Sequence, residues 1–163
     1  MTRLQTLIAT YQQTRNLSMY YMSLLKETDP YKVFSIDDKA LNSLHWIVCH
    51  LCWAEAFLTV KSSGGAIDTK DWFEKYAFGT TVPAKEEGPG FEEALDTLKA
   101  NHLKCIAYME SMTEADLDKD NVLGMAFGKE KSIATMIMHA IRHEGTHAGH
   151  LGWLCKLNGV KTV

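Results

Sequence analysis

Apolar residues return along this chain at helical rather than strand spacing. From Thr2 to about Lys26, Leu4, Leu7, Ile8, Tyr11, Met19 and Met22 recur every three or four positions or multiples of them. That predicts a first long helix, closed by Asp29-Pro30. A second pattern starts near Asp37 or Asp38, both good helix caps, and runs to about Lys61, where Ser62-Ser63-Gly64-Gly65 stops it. A third runs from Phe91 to Met112. A fourth runs from about Lys131 to Leu157 and closes at Asn158-Gly159. No segment shows the alternation expected of a strand. Between the second and third helices, residues Ala66 to Gly90 carry Gly79, Pro83, Gly88, Pro89 and Gly90, with one short helix expected around DWFEKYAF. Four long helices with one long connection predict an all-α four-helix bundle, a single domain over residues 1–163. A connection of that length is expected to line a functional site.

Composition narrows the classes. The chain has 163 residues, 46% hydrophobic and 23% charged, as expected of one globular domain with a sizeable core. A net charge of −3 leaves no basic excess to neutralise phosphates, so nucleic acid is not an expected partner. The longest apolar stretch, Leu44 to Val60, contains His45, His50 and Glu55, which marks a buried helix rather than a membrane span. The opening MTRLQTLIATYQQTRNL has no signal-peptide core, so reduced thiols and a cytoplasmic location are expected. Cys49 and Cys52 form C-x-x-C. Their helical phase sets both off the face of His50, and they read as small buried residues rather than a redox or metal pair.

The chemistry concentrates in HEGTH, His143 to His147. H-E-x-x-H places two imidazoles on one helical face with a carboxylate between them, the signature of zinc proteases. At roughly 100° per residue, both His fall in the middle of the apolar stripe formed by Ile133, Met136, Ala140, Leu151 and Leu154. On the second helix, His50 shares a face with Trp46, Trp53 and Phe57, whereas His45 points away. His102 on the third helix also faces inward and reads as a hydrogen-bonded core His. Buried imidazoles need partners. Three from two helices make a three-nitrogen metal site with open positions, the catalytic rather than the closed structural arrangement. The protease reading fails on the third ligand. After Glu144 the chain has no acidic residue, and the extended signature would need Gly and His where His150 and Trp153 stand.

The segments NSLHWIVCHLCWAEAFL (Asn42 to Leu58) and MIMHAIRHEGTHAGHLGWL (Met136 to Leu154) resemble the two signature segments of the DinB-like, or YfiT-like, superfamily. YAFGTTVPAKEEGP resembles that family's long loop, and the segment from Phe91 to Asp118 its third helix. The resemblance covers most of the chain. It implies a four-helix bundle, often dimeric, with a metal held by His50, His143 and His147, the triad that the helical phases select. His150 departs from the pattern, since many members have Gln there. Some members are thiol S-transferases using bacillithiol or mycothiol, including a maleylpyruvate isomerase. In ergothioneine-type sulfoxide synthases a similar domain helps bind iron.

The resulting expectation is a metal-dependent transferase or hydrolase. A divalent ion, Zn or Ni first and Fe after them, would activate water or a low-molecular-weight thiol toward a small-molecule electrophile. Glu144 is the candidate base, or the orienter of a ligand His. The alternative is a non-catalytic metal-binding stress-response protein. Finally, Gly145, Gly149 and Gly152 fall on the back of the fourth helix. Each costs about 1 kcal/mol relative to Ala, so close approach of another helix is expected, from the same bundle or from a second subunit. Together with the family's habit, this leads to an expected homodimer.

Overall fold

A computed structural model describes residues 1–80 and 87–162 of the chain. Helix α1 spans Arg3–Leu24. Thr2 caps it: its side chain accepts from the Gln5 backbone N–H, and its own backbone N–H donates to Gln5 Oε1 at 3.0 Å. This reciprocal pair satisfies two donors that a helix start leaves open. The buried stripe of α1 is Leu4, Tyr11, Arg15, Ser18 and Met22, so a charged residue lies among the apolar ones.

The stretch after α1 departs from the expectation. Ser35–Ile36 (β1) pairs antiparallel with Lys39–Ala40 (β2). Asp37 and Asp38, expected to start the second helix, form the two-residue turn between these strands at φ 47° and 60°. Left-handed residues make the tight hairpin turn that matches strand twist, and Asp tolerates that region better than most. A helix cap needs extended backbone instead, and Ser43 supplies it, accepting from the Trp46 backbone N–H at 3.2 Å.

Helix α2 therefore spans Leu44–Glu55, and every one of its residues is buried. The helix continues as a π turn over Ala56–Val60 and a tight turn over Lys61–Ser63, ending at Gly64 with φ 84°. Left-handed backbone there favours glycine. The connection that follows contains a short 3₁₀ turn, Phe73–Tyr76, which packs on α2 with Trp72, Phe73 and Tyr76 buried. The expected loop segment YAFGTTVPAKEEGP lies partly outside the described residues.

Helix α3 spans Phe91–Glu110 and α4 spans Ile133–Leu157, the latter capped by Ser132 and closed by Asn158. Helix α1 packs most extensively on α4, and α2 on α3. Tyr11, Ile47, Leu51, Leu98, Met109, Met136, Ile137 and Leu151 fill the shared core. The architecture is the all-α four-helix bundle expected, with one small hairpin added. No helix among the described residues is long and apolar enough to cross a membrane.

The glycine face of α4 meets the same bundle. A Cβ on Gly152 would lie 3.5 Å from the Tyr21 ring, and one on Gly145 would lie 4.0 Å from Thr14, both on α1. Gly149 faces open space. The helix that approaches Gly145 and Gly152 is thus α1.

Candidate metal centre

His50 comes from the middle of α2, and His143 and His147 from successive turns of α4. Helical spacing puts the α4 pair one above the other, and the packing of α4 against α2 brings His50 up to both. One ligand-capable atom from each lies within 4.8 Å of the others. The three ring centroids are 4.7–5.0 Å apart. His50 and His147 are buried and His143 is half-buried.

Hydrogen bonding sets the tautomer of His50. Its Nδ1 lies 2.6 Å from the carbonyl oxygen of Tyr76, which can only accept, so Nδ1 carries the proton. Nε2 of a neutral His50 is then a lone pair. It lies 3.1 Å from Nε2 of His143, an approach that requires a proton or a cation between the two nitrogens. A carbonyl behind one imidazole nitrogen is the usual support of a metal-ligating His. The expectation that the long connection lines the site is met here, since Tyr76 belongs to it.

Burial keeps the rings neutral. Desolvation lowers the pKa of His50 against the opposing pull of the Tyr76 carbonyl. It pushes His143 down to about 4, helped by the neighbouring His50, His139 and Arg142. Desolvation, with His143 and His50 close by, also pushes His147 down to about 2. Neutral imidazoles at neutral pH are the form that binds metal. Three bonds of about 2.1 Å in tetrahedral arrangement would set nitrogens ~3.4 Å apart, a spacing compatible with this cluster. The donor set fits a divalent transition metal.

Aromatic rings wall one side. Trp46 stacks on His50 at 4.5 Å and Trp53 lies on its other neighbour side at 5.7 Å. Phe57 stacks on Trp53 at 4.9 Å, and exposed Phe78 meets Trp53 edge-on at 5.5 Å. On α4, His139 stacks on Phe127 at 3.9 Å, with Arg142 Nη2 2.6 Å from its Nδ1. His150 is exposed, and its Nδ1 lies 3.4 Å from Nδ1 of His147.

The other candidates lie elsewhere. His45 is buried on the opposite side of α2, as its phase implied, with Nε2 2.9 Å from the Pro89 carbonyl. Cys49 and Cys52 are free, buried thiols; Cys52 approaches the Ala94 carbonyl, and burial pushes the Cys49 thiol up to about 12. Neither is placed to react. His102 is the hydrogen-bonded core His expected, with Nδ1 2.6 Å from Oε1 of Glu55.

Glu144 does not lie at a rim. It is 2% exposed, and both its oxygens bind Arg15, Oε1 to Nε at 2.6 Å and Oε2 to Nη2 at 2.9 Å. Arg15 Nη2 also lies 3.3 Å from Oε2 of Glu55, and Nη1 donates to the Leu98 carbonyl at 3.2 Å. Burial alone would lower the Arg15 pKa, but the Glu55 and Glu144 carboxylates hold it well above its ordinary value. A buried chain Glu144–Arg15–Glu55–His102 therefore ties all four helices together beside the triad. Sequence reasoning singled out neither Arg15 nor Glu55 as part of such a chain. The available signals were a cation on the Tyr11–Met22 stripe and an acid inside the longest apolar run.

No curated protein and no solved structure matches the chain. A family model described as the DinB superfamily matches residues 10–151, a span that includes the whole triad and both Arg15 and Glu144. With that match over most of its length, and with the helical bundle to accompany it, the chain belongs to the DinB superfamily.

Proposed function

We propose that His50, His143 and His147 hold a divalent metal ion, Zn²⁺ or Ni²⁺ first, in a metal-dependent transferase or hydrolase acting on a small-molecule electrophile. The observation that carries the reading is the convergence of three neutral imidazoles, one oriented by the Tyr76 carbonyl, on one point between α2 and α4. An ion held by three such ligands keeps positions open and supplies Lewis acidity that lowers the pKa of water or a thiol.

The chain's own residues do the rest. Tyr76 fixes the His50 ring through its main chain, so the lone pair of Nε2 points at the cluster. Trp46 and Trp53 cover His50 and exclude water from that side, which strengthens electrostatic interactions at the cluster. Arg15 grips Glu144, the residue next to His143, and so fixes the rotation of α4. With both oxygens engaged, Glu144 reads as the anchor of the α4 ligands rather than as the proton acceptor expected from its sequence position.

Metal analysis of the purified protein tests the first half of the reading. About one equivalent is expected in the parent and in His45→Ala, and a sharp loss in His50→Ala, His143→Ala and His147→Ala. Unchanged stoichiometry in His50→Ala would remove the triad. Incubating metal-loaded protein with a panel of low-molecular-weight thiols and small electrophiles tests the second half. Turnover that disappears with the metal supports the enzyme. Metal binding without turnover for any thiol, electrophile or metal would favour the non-catalytic alternative.

A further inference from the structure

A second feature of α4 lies one turn beyond the triad. The hairpin β1–β2 and the C-terminal half of α4 enclose a groove of about 380 Å³. Ile36 and Leu41 form one wall, and Trp153, Leu154 and Leu157 the other. His150 also lines it. The volume falls in the range of small-molecule sites, roughly 300–1,000 Å³. No Lys, Arg, Asp or Glu is among the described lining residues.

Two observations single this groove out. Its apolar side chains are large and open to solvent: Trp153 is 63% exposed and Ile36 55%. Exposed aromatic and aliphatic surface collected in a concave place marks a binding site more often than scattered apolar residues do. Most telling, His150 belongs to both places: it lines the groove, and its Nδ1 lies 3.4 Å from Nδ1 of His147. A molecule that touches His150 in the groove therefore lies next to a member of the triad.

We infer that this groove binds the uncharged alkyl or aryl body of the substrate, and that His150 marks the end at which the reactive group meets the metal site. The inference deepens the metal-enzyme reading above and rests on it for the word substrate. Among the described lining residues the side chains are mostly apolar, with polar groups at His150, Asn42 and the Trp153 indole N–H, so the groove selects an apolar body with a polar group that meets His150. A second copy of the chain is the rival occupant, and the test separates the two.

The probe is N-phenyl-1-naphthylamine, an uncharged aromatic amine that becomes fluorescent in apolar sites. The Zn-loaded parent is expected to bind it at one equivalent. Trp153→Ala, which removes one wall, and Ala40→Phe, which fills the groove from the hairpin, should each weaken binding by at least about tenfold. Both variants should keep the parent's metal content, since neither touches the triad. In Cu-loaded protein the bound probe should be quenched relative to Zn-loaded protein, because the groove is lined by His150, which lies 3.4 Å from His147. No binding to the parent, equal binding to all three proteins, or equal emission with Cu and Zn would each overturn the inference. Light scattering that shows a dimer in the parent and a monomer in Trp153→Ala would also overturn it, by assigning the face to a second copy. Failure of the metal reading shows separately, as a parent protein that takes up no metal whatever the probe does.

Discussion

Replacing Arg15 by Met tests whether the buried charge chain holds the bundle beside the triad. Met fits the unbranched stem of Arg but has no charge and no donors. The substitution leaves Glu144 and Glu55 at 2% exposure, stripped of contacts at 2.6, 2.9 and 3.3 Å. Removing one partner of a buried ion pair costs about 3–5 kcal/mol, because the remaining charge is left desolvated and unpaired. That is a large share of the ~5–15 kcal/mol available to a domain. At a urea m-value of about 2 kcal/mol/M, the unfolding midpoint should fall by roughly 1.5–2.5 M. The double variant Arg15→Met/Glu144→Met removes one charge of each sign and leaves Glu55 with His102, so it should recover at least half of the loss. Glu144→Gln, which keeps the shape and leaves Arg15 with Glu55, should fall between the parent and Arg15→Met. Urea unfolding followed by circular dichroism reads all four proteins. A loss below about 1 kcal/mol in Arg15→Met, or a double variant no more stable than Arg15→Met, would refute the reasoning.

Three further expectations concern backbone positions. Gly152→Ala should raise stability by up to about 1 kcal/mol, since the new methyl makes ordinary contact with Tyr21 at 3.5 Å and the helix loses a glycine, as thermal unfolding will record. Gly149→Leu likewise removes a helical glycine, and its side chain meets open space in this chain, so it should also raise the thermal midpoint; a lower midpoint would show that the position tolerates no side chain. Asp38→Gly relieves a left-handed aspartate at φ 60° and should stabilise the hairpin by several tenths of a kcal/mol; a lower midpoint in thermal unfolding would show that the Asp side chain makes up for its backbone.

Much of the fold was legible in the sequence because helices leave local marks. Thr2, Ser132 and Asn158-Gly159 sit where the chain must satisfy or release helix ends, and the periodicity between them follows from 3.6 residues per turn. The triad was legible for the same reason, since phase alone sends His50, His143 and His147 inward and His45 to the opposite side. What failed was local structure too short to carry a period. Two-residue strands cannot show alternation, and Asp37-Asp38 serves a hairpin turn or a helix cap with the same letters, so the true start of α2 at Ser43 was hidden.

Tertiary structure alone decided the partners. The acceptor that fixes His50 is the main-chain carbonyl of Tyr76, a group that every residue possesses and no letter announces. Arg15 and Glu144 are 129 positions apart, and Glu55 and His102 are 47 apart, so these groups meet only after four helices have packed. The helix that fits against Gly145 and Gly152 is likewise a matter of packing, and it is α1 of the same chain. The sequence determines which face of each helix is buried, because periodicity is local. Which buried groups then touch depends on how the helices cross, and that is set by the whole core together.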